Sequence, residues 1–84
     1  MNTLTNDAKA LKIWFDESNL WILLHDGRQL SVPLVYFPRL SNARKEQLEN
    51  YEISGGGSGL HWDELDEDIS VSGLLKGHGD SSKK

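Results

Sequence analysis

Cysteine is absent from this 84-residue sequence, which excludes disulfide bonds, thiolate metal ligands and cysteine catalysis. No window approaches the roughly 18 consecutive apolar residues of a membrane span. Residues 1–7 also lack the basic stretch and apolar run of a signal peptide. We therefore expect a cytoplasmic protein, without a membrane contact, that is held together by apolar packing alone.

The chain length predicts one domain with a thin core, because folding at this size buries only about 60–65% of the unfolded surface. We assign residues 1–76 to a single α+β domain. Residues 77–84 contain no large apolar side chain, and we expect them to form a disordered tail.

Acidic charge is concentrated in one short stretch. The formal net charge is −4, and residues 63–68, called the acidic segment below, contain five acids and no base. Without those five charges the rest of the chain sums to only +1. The sequence therefore predicts a nearly neutral protein with one acidic pole.

Alternating apolar and polar residues predict three antiparallel strands, over residues 8–15, 20–25 and 28–32. The dipeptide Asp26-Gly27 is typical of a two-residue type I′ hairpin loop. Such a loop would place Leu23 opposite Leu30 and Trp21 opposite Val32. Pro33 then ends the third strand or marks it as an edge.

The first hairpin would turn at Glu17-Ser18, which places Trp14 opposite Trp21 and Ile13 opposite Ile22. Both faces of this β-meander are then apolar, and the rest of the chain is short for covering both. One uncovered face would support a structural homodimer, through Leu11, Ile13 and Ile22.

The remaining elements are shorter. Ser41 or Asn42 can cap one main helix over residues 43–50. An extended piece at 51–53, a strand at 60–62 and a closing turn within 69–75 would follow. The predicted fold class is α+β: a small antiparallel β-meander of three to four strands, one main helix and a short closing C-terminal turn.

Three motifs could indicate chemistry. The run Gly55-Gly56-Gly57-Ser58-Gly59 lacks the Gly-Lys-Ser/Thr ending of a phosphate loop, so we interpret it as a flexible hairpin loop. His61 beside the acidic segment could ligate a metal or act as a base, but the spacing matches no dedicated cage and a small meander offers little concavity. We expect no metal, no cofactor and no enzymatic activity.

Basic residues form one local cluster, Arg39, Arg44 and Lys45, which Glu46 and Glu49 interrupt. Neutralising several phosphates with so few cations is difficult. We do not expect direct nucleic-acid binding, and a DNA-associated transcriptional regulator is kept as an alternative function.

The acidic segment differs from an ordinary charge run because Trp62, Leu65, Ile69 and Val71 are interleaved with it. These apolar residues could belong to the core while the acids solubilise the fold. They could also hold the acids in place as a recognition surface for an unidentified basic protein partner. The predicted partner-binding residues are His61, Trp62, Asp63, Glu64, Asp66, Glu67 and Asp68.

Residues 26–34, 37–40 and 59–75 resemble the small bacterial family catalogued as domain of unknown function 2442, and the resemblance extends over roughly residues 8–77. It implies a compact α+β fold with a small antiparallel sheet and one main helix. Some members are encoded beside a small partner, as toxins and antitoxins are, which implies an antitoxin-like or accessory subunit. Others carry a helix-turn-helix domain, for which this sequence has no room.

The family pattern has proline after the tryptophan and at the start of the main helix, where this sequence has Asp63 and Arg44. The family supplies no catalytic residues. The leading hypothesis is therefore a non-enzymatic protein-interaction module that presents the acidic segment to a basic partner.

Overall fold

Two three-stranded antiparallel sheets form the framework in the computed structural model, which describes residues 8–76. In the first sheet the strands follow the chain order β1 (Ala10–Phe15), β2 (Asn19–Leu24) and β3 (Gln29–Pro33). The second sheet contains β4 (Glu52–Ser54), β5 (Gly59–Trp62) and β6 (Glu67–Ser70), again in chain order. The helices are α1 (Pro38–Ser41), α2 (Lys45–Leu48) and α3 (Val71–Leu75). The α+β prediction is confirmed, and the predicted tail, 77–84, lies outside the described residues.

The first hairpin has the predicted register. Trp14 lies opposite Trp21 and Ile13 opposite Ile22. The carboxylate of Asp16 shapes the turn by accepting hydrogen bonds from the Ser18 and Asn19 amides at 2.9 and 2.8 Å. The two tryptophan rings stack with centroids 6.1 Å apart, as expected for an aromatic cross-strand pair.

The register predicted for the second hairpin is wrong by one residue. The Leu24 amide donates to the Arg28 carbonyl at 2.8 Å and the Gly27 amide to the Leu24 carbonyl at 2.9 Å, so the loop has three residues, and Gly27 has a φ of +94°. As a result Leu30 lies opposite Ile22 and Val32 opposite Leu20. A one-residue change of register moves a side chain to the other face of a sheet. The observed register therefore places the side chains of Leu30 and Val32 on the face of the first sheet that packs on the core.

The residues predicted to form a homodimer face do not share an exposed surface. Ile13 and Ile22 are buried in the core, and Leu11 lies apart from them in a β-bulge between Ala10 and Lys12, 55% exposed. The face is covered because Leu60, Trp62 and Ile69 of the second sheet belong to the same hydrophobic cluster. The strand residues buried in this shared cluster are Ala10, Ile13, Leu20, Ile22, Leu24, Val32, Leu60, Trp62 and Ile69.

The single main helix fits the structure only loosely. It is reduced to α2, and Arg44, rather than Ser41 or Asn42, precedes its first turn and donates its amide hydrogen to Gln47 Oε1 at 2.9 Å. The predicted extended piece and last strand correspond to β4 and β5, while the closing turn divides into β6 and α3. Cover for the first sheet therefore comes from a second sheet, and residues 8–76 contain six strands.

The glycine-rich run forms a 3-10 turn, Gly55–Gly57, that joins β4 to β5 as predicted. Its last glycine is buried, has a φ of +114° and lies against β1. A Cβ atom at Gly57 would be 2.8 Å from the Ala10 carbonyl oxygen. Backbone packing at this point therefore holds the two sheets together.

Within residues 8–76, every helix falls short of the length and apolar character needed to cross a membrane.

Candidate functional site

The first four residues of the acidic segment, 63–66, form a hairpin tip between β5 and β6, and its last two begin β6. Trp62 pairs with Glu67 at the base of the hairpin, and the Asp66 amide donates to the Asp63 carbonyl at 3.2 Å across the loop. Asp66 has a φ of +55°, which aspartate tolerates better than most side chains. Local turn geometry therefore positions these carboxylates.

Two contacts from the helical region hold the tip in place. Gln47 of α2 donates its side-chain amide to Glu64 Oε2 at 2.8 Å. Arg39 of α1 donates to the Asp66 carbonyl, and its guanidinium lies 3.9 Å from the Asp66 carboxylate. Leu65 packs, half-buried, against the core. Two polar contacts and the half-buried Leu65 thus hold the tip against the rest of the domain.

The acids differ in how accessible they are. The side chains of Asp63 and Asp66 are 96% and 93% exposed, and Glu64 is exposed as well. Burial raises the pKa of the half-buried Glu67, while the charge of Arg39 acts in the opposite direction. The exposed carboxylates of the segment are therefore Asp63, Glu64, Asp66 and Asp68, and Asp68, at 78% exposure, lies against His61.

Trp62, one of the predicted partner-binding residues, lies in the core. It is 0% exposed, and its indole N–H donates to the Leu48 carbonyl at 2.9 Å. Its ring contacts those of Phe15 and Tyr51, with centroids 6.4 Å away in both cases. Successive residues of a strand face opposite sides of the sheet, so Trp62 points into the core while the preceding residue points outward.

That outward residue is His61, in the central strand of the second sheet. Asp68 lies opposite it on β6, and His61 Nδ1 is 2.6 Å from Asp68 Oδ1. His61 Nε2 is 3.5 Å from Asp63 Oδ1, and Glu52 lies opposite on β4. The hydrogen bond to Asp68, followed by that to Asp63, raises the pKa of His61 despite the opposing effect of burial. Part of the acidic charge is thus balanced within the protein.

The His61 pair predicts a specific pH dependence. Because the folded-state pKa of His61 is raised above 6.5, the pair stabilises the fold fully below pH 6.5 and this contribution is lost as the pH rises through the folded-state pKa. In Asp68→Asn we expect a lower His61 pKa in an NMR titration. We also expect a smaller loss of urea stability above pH 6.5. Identical pH profiles for the variant and the original protein would contradict this assignment.

Metal binding finds no support in the described region. Across residues 8–76, no group of three or more histidine, aspartate or glutamate side chains is arranged to hold a metal ion. Of the residues considered as metal ligands, His61 and Asp68 are hydrogen-bonded to each other.

The three basic residues considered for DNA binding do not together form a surface of free positive charge. Arg39 contacts Asp66, and Arg44 Nε is 3.2 Å from Glu46 Oε2. Lys45 lines a separate cleft. Two of the three cations therefore already have acidic neighbours.

This cleft, of about 670 Å³, is a second candidate site that the sequence analysis missed. It lies beside the C-terminal half of β1, and the segment from α2 to Tyr51 forms its other wall. No motif indicates it, because the two walls are more than 25 residues apart in the sequence. Only the tertiary structure brings them together.

The architecture defines the class of this protein: a small α+β domain of two antiparallel sheets that share one core. The chain belongs to the family described as a protein of unknown function (DUF2442), whose model matches residues 10–79. This confirms the resemblance found in the sequence.

Two solved structures share the fold. One is a protein of unknown function from Rhodospirillum rubrum, 33% identical with a TM-score of 0.78; the alignment covers 90% of this chain and 94% of that one. The other, determined by solution NMR, is an uncharacterised protein from Chromobacterium violaceum, 29% identical with a TM-score of 0.74 and coverage of 88% and 70%. No curated protein matches the chain.

Proposed function

We propose that this chain is a non-enzymatic protein-interaction module, an antitoxin-like or accessory subunit, whose acidic segment binds a basic surface of a partner protein. The observation that carries the proposal is the fixed position of the acids at the hairpin tip. Gln47 and Arg39 hold Glu64 and the backbone of Asp66 in place. Binding then requires little further ordering of the segment, which favours affinity.

The charge distribution supports the same partner class. Asp63, Glu64 and Asp66 project from one tip, and the rest of the chain is nearly neutral. A localised negative potential accelerates the encounter with a positively charged surface and selects against acidic partners. The partner-binding set is accordingly narrower than the sequence predicts, because Trp62 is buried and His61 is paired with Asp68.

The two alternative functions have less support. A DNA-associated regulator would use Arg39, Arg44 and Lys45, and two of these, Arg39 and Arg44, already contact carboxylates. A homodimer built on Ile13 and Ile22 would require residues that are buried in the monomer core.

A charge-neutralising triple variant tests the proposal. Asp63→Asn, Glu64→Gln and Asp66→Asn preserve side-chain shape, and asparagine tolerates the positive φ at Asp66. We expect the variant to fold and to bind its partner about tenfold more weakly at low salt, mostly through slower association. The partner is first sought by affinity purification from the native host, and association is then measured by surface plasmon resonance at several salt concentrations.

The matched control carries Asp26→Asn, Glu46→Gln and Glu52→Gln, which remove the same number of charges from other parts of the surface. The supporting result is a set of proteins that the original chain and this control retain and the acidic-segment variant loses. The difference should shrink as salt screens the charges. If all three baits retain the same proteins equally, the acidic segment is not the binding surface.

A further inference from the structure

The free edge of β1 is open along only half of its length. β2 occupies one side of β1, and no third strand pairs with its other side within residues 8–76. The N-terminal half of that edge is interrupted by the bulge between Ala10 and Lys12 and is covered by the turn at Gly57. Bulges and covering loops are common protections of sheet edges. The regular C-terminal half, 13–15, has neither protection and borders the cleft.

The backbone of this half is directed toward the cleft. The Asp16 amide donates to the Asn19 carbonyl, so these two residues form a hydrogen-bonded pair. Hydrogen-bonded and non-hydrogen-bonded pairs alternate along antiparallel strands, so the pair Trp14–Trp21 is hydrogen-bonded as well. The N–H and C=O groups of Ile13 and Phe15 then point away from β2. The Ile13 carbonyl accepts a long hydrogen bond, 3.5 Å, from the Tyr51 hydroxyl. Among the described residues, the Phe15 backbone has no hydrogen bond from a neighbouring loop or side chain.

The walls of the cleft combine an apolar floor with an acidic rim. Phe15 and Leu48 contribute apolar surface, and the rim carries the three carboxylates of Asp16, Glu17 and Glu49 against the single ammonium of Lys45. The Trp21 indole and the Ser18 amide lower the pKa of Asp16, so its charge persists in mildly acidic solution. Such a lining suits a ligand that carries an apolar side chain with positively charged groups on either side.

We propose that this cleft is a docking groove in which an extended basic segment of a partner protein adds a strand to the free edge of β1. Backbone groups of Ile13 and Phe15 pair with the segment, as in other cases of strand addition. An apolar side chain of the segment packs on Phe15 and Leu48, and lysine or arginine side chains lie beside Glu17 and Glu49. This contact involves none of the residues of the acidic segment, so it is independent of the function proposed above.

A second copy of this chain fits the groove less well than a basic segment does. Its own β1 edge carries the same Asp16 and Glu17, so pairing the two edges brings like charges close to one cleft. The charge balance of the rim therefore selects a partner of opposite sign.

The test uses the full chain labelled with nitrogen-15 and a synthetic peptide of about seven residues that alternates valine and lysine. We expect amide chemical-shift changes at residues 13–17 and 48–51 during titration. Methylating the peptide amides that face β1 should weaken binding about tenfold, because each lost backbone hydrogen bond has a substantial effect. A peptide with glutamate in place of lysine should not bind measurably.

A protein variant tests the rim separately. Glu17→Gln with Glu49→Gln should weaken binding about threefold to tenfold, whereas Glu46→Gln with Glu52→Gln, which removes equal charge outside the cleft, should leave it unchanged. Three results would each overturn the proposal: no shift changes up to about 1 mM peptide, equal binding of the methylated peptide, or shift changes confined to residues 63–68. A fourth result would also overturn the proposal: without peptide, the protein forms a concentration-dependent dimer in which the β1 amides are protected. The edge of β1 would then be occupied by a second copy of this chain.

Discussion

Replacing Trp62 by alanine is expected to lower the free energy of unfolding by about 3–5 kcal/mol. Trp62 is fully buried and contacts Phe15 and Tyr51, so the truncation leaves a large cavity between the two sheets. A single core of this size rarely supplies more than about 3–5 kcal/mol in total. We therefore expect Trp62→Ala to be mostly unfolded at room temperature, as measured by far-UV circular dichroism during urea titration.

Two further variants identify the source of the effect. Trp62→Phe keeps an aromatic ring but removes the donor to the Leu48 carbonyl, and we expect a loss of about 1–3 kcal/mol. Trp14→Ala removes a tryptophan of the same size that is only half-buried, on the outer face of the first sheet, and should lose about 1 kcal/mol. Equal stability of Trp62→Ala and Trp14→Ala would contradict the central position of Trp62.

Gly57→Ala should produce the second largest loss, about 2–3 kcal/mol. At a φ of +114° an alanine is strained, and its Cβ would be 2.8 Å from both the Ala10 oxygen and the Lys9 Cβ. The Ala10 oxygen belongs to the backbone of β1 and can move away only if the two sheets separate locally. Urea denaturation of the variant and the original protein measures the loss.

The neighbouring Gly56 provides the control. It also has a positive φ, +68°, but a Cβ there would meet nothing within 4 Å. Gly56→Ala should therefore show only the conformational cost of about 1 kcal/mol. If the two alanine variants are equally stable, the close packing of Gly57 against β1 does not contribute to the fold.

Stability and binding overlap around Trp62, which affects how binding variants are chosen. Its ring touches Phe15, which lines the cleft, and its neighbour Asp63 begins the acidic segment. Substitutions at Trp62 would therefore disturb both proposed contact surfaces through loss of folding. Charge-neutralising changes at exposed carboxylates, such as Asp63 or Glu17, avoid this difficulty because the side chains retain their shape.

Several features could be predicted from local sequence. The register of the first hairpin follows from the turn at Glu17-Ser18 and the apolar alternation on both sides. The outward direction of His61 and the inward direction of Trp62 follow from strand periodicity alone, although the sequence analysis grouped both with the exposed acids. The loop at Asp26-Gly27 could not be assigned correctly from its dipeptide, because the same residues suit a two-residue and a three-residue loop.

The sequence by itself determined the α+β class, the family, the first hairpin and the concentration of negative charge in residues 63–68. Those properties depend on neighbours along the chain. Only the tertiary structure decided that a second sheet covers Ile13 and Ile22, that Arg39 and Gln47 hold the acidic segment, and that a cleft borders β1. The physical reason is the same in each case: these contacts join residues far apart in sequence, where no local periodicity or turn preference specifies the pairing.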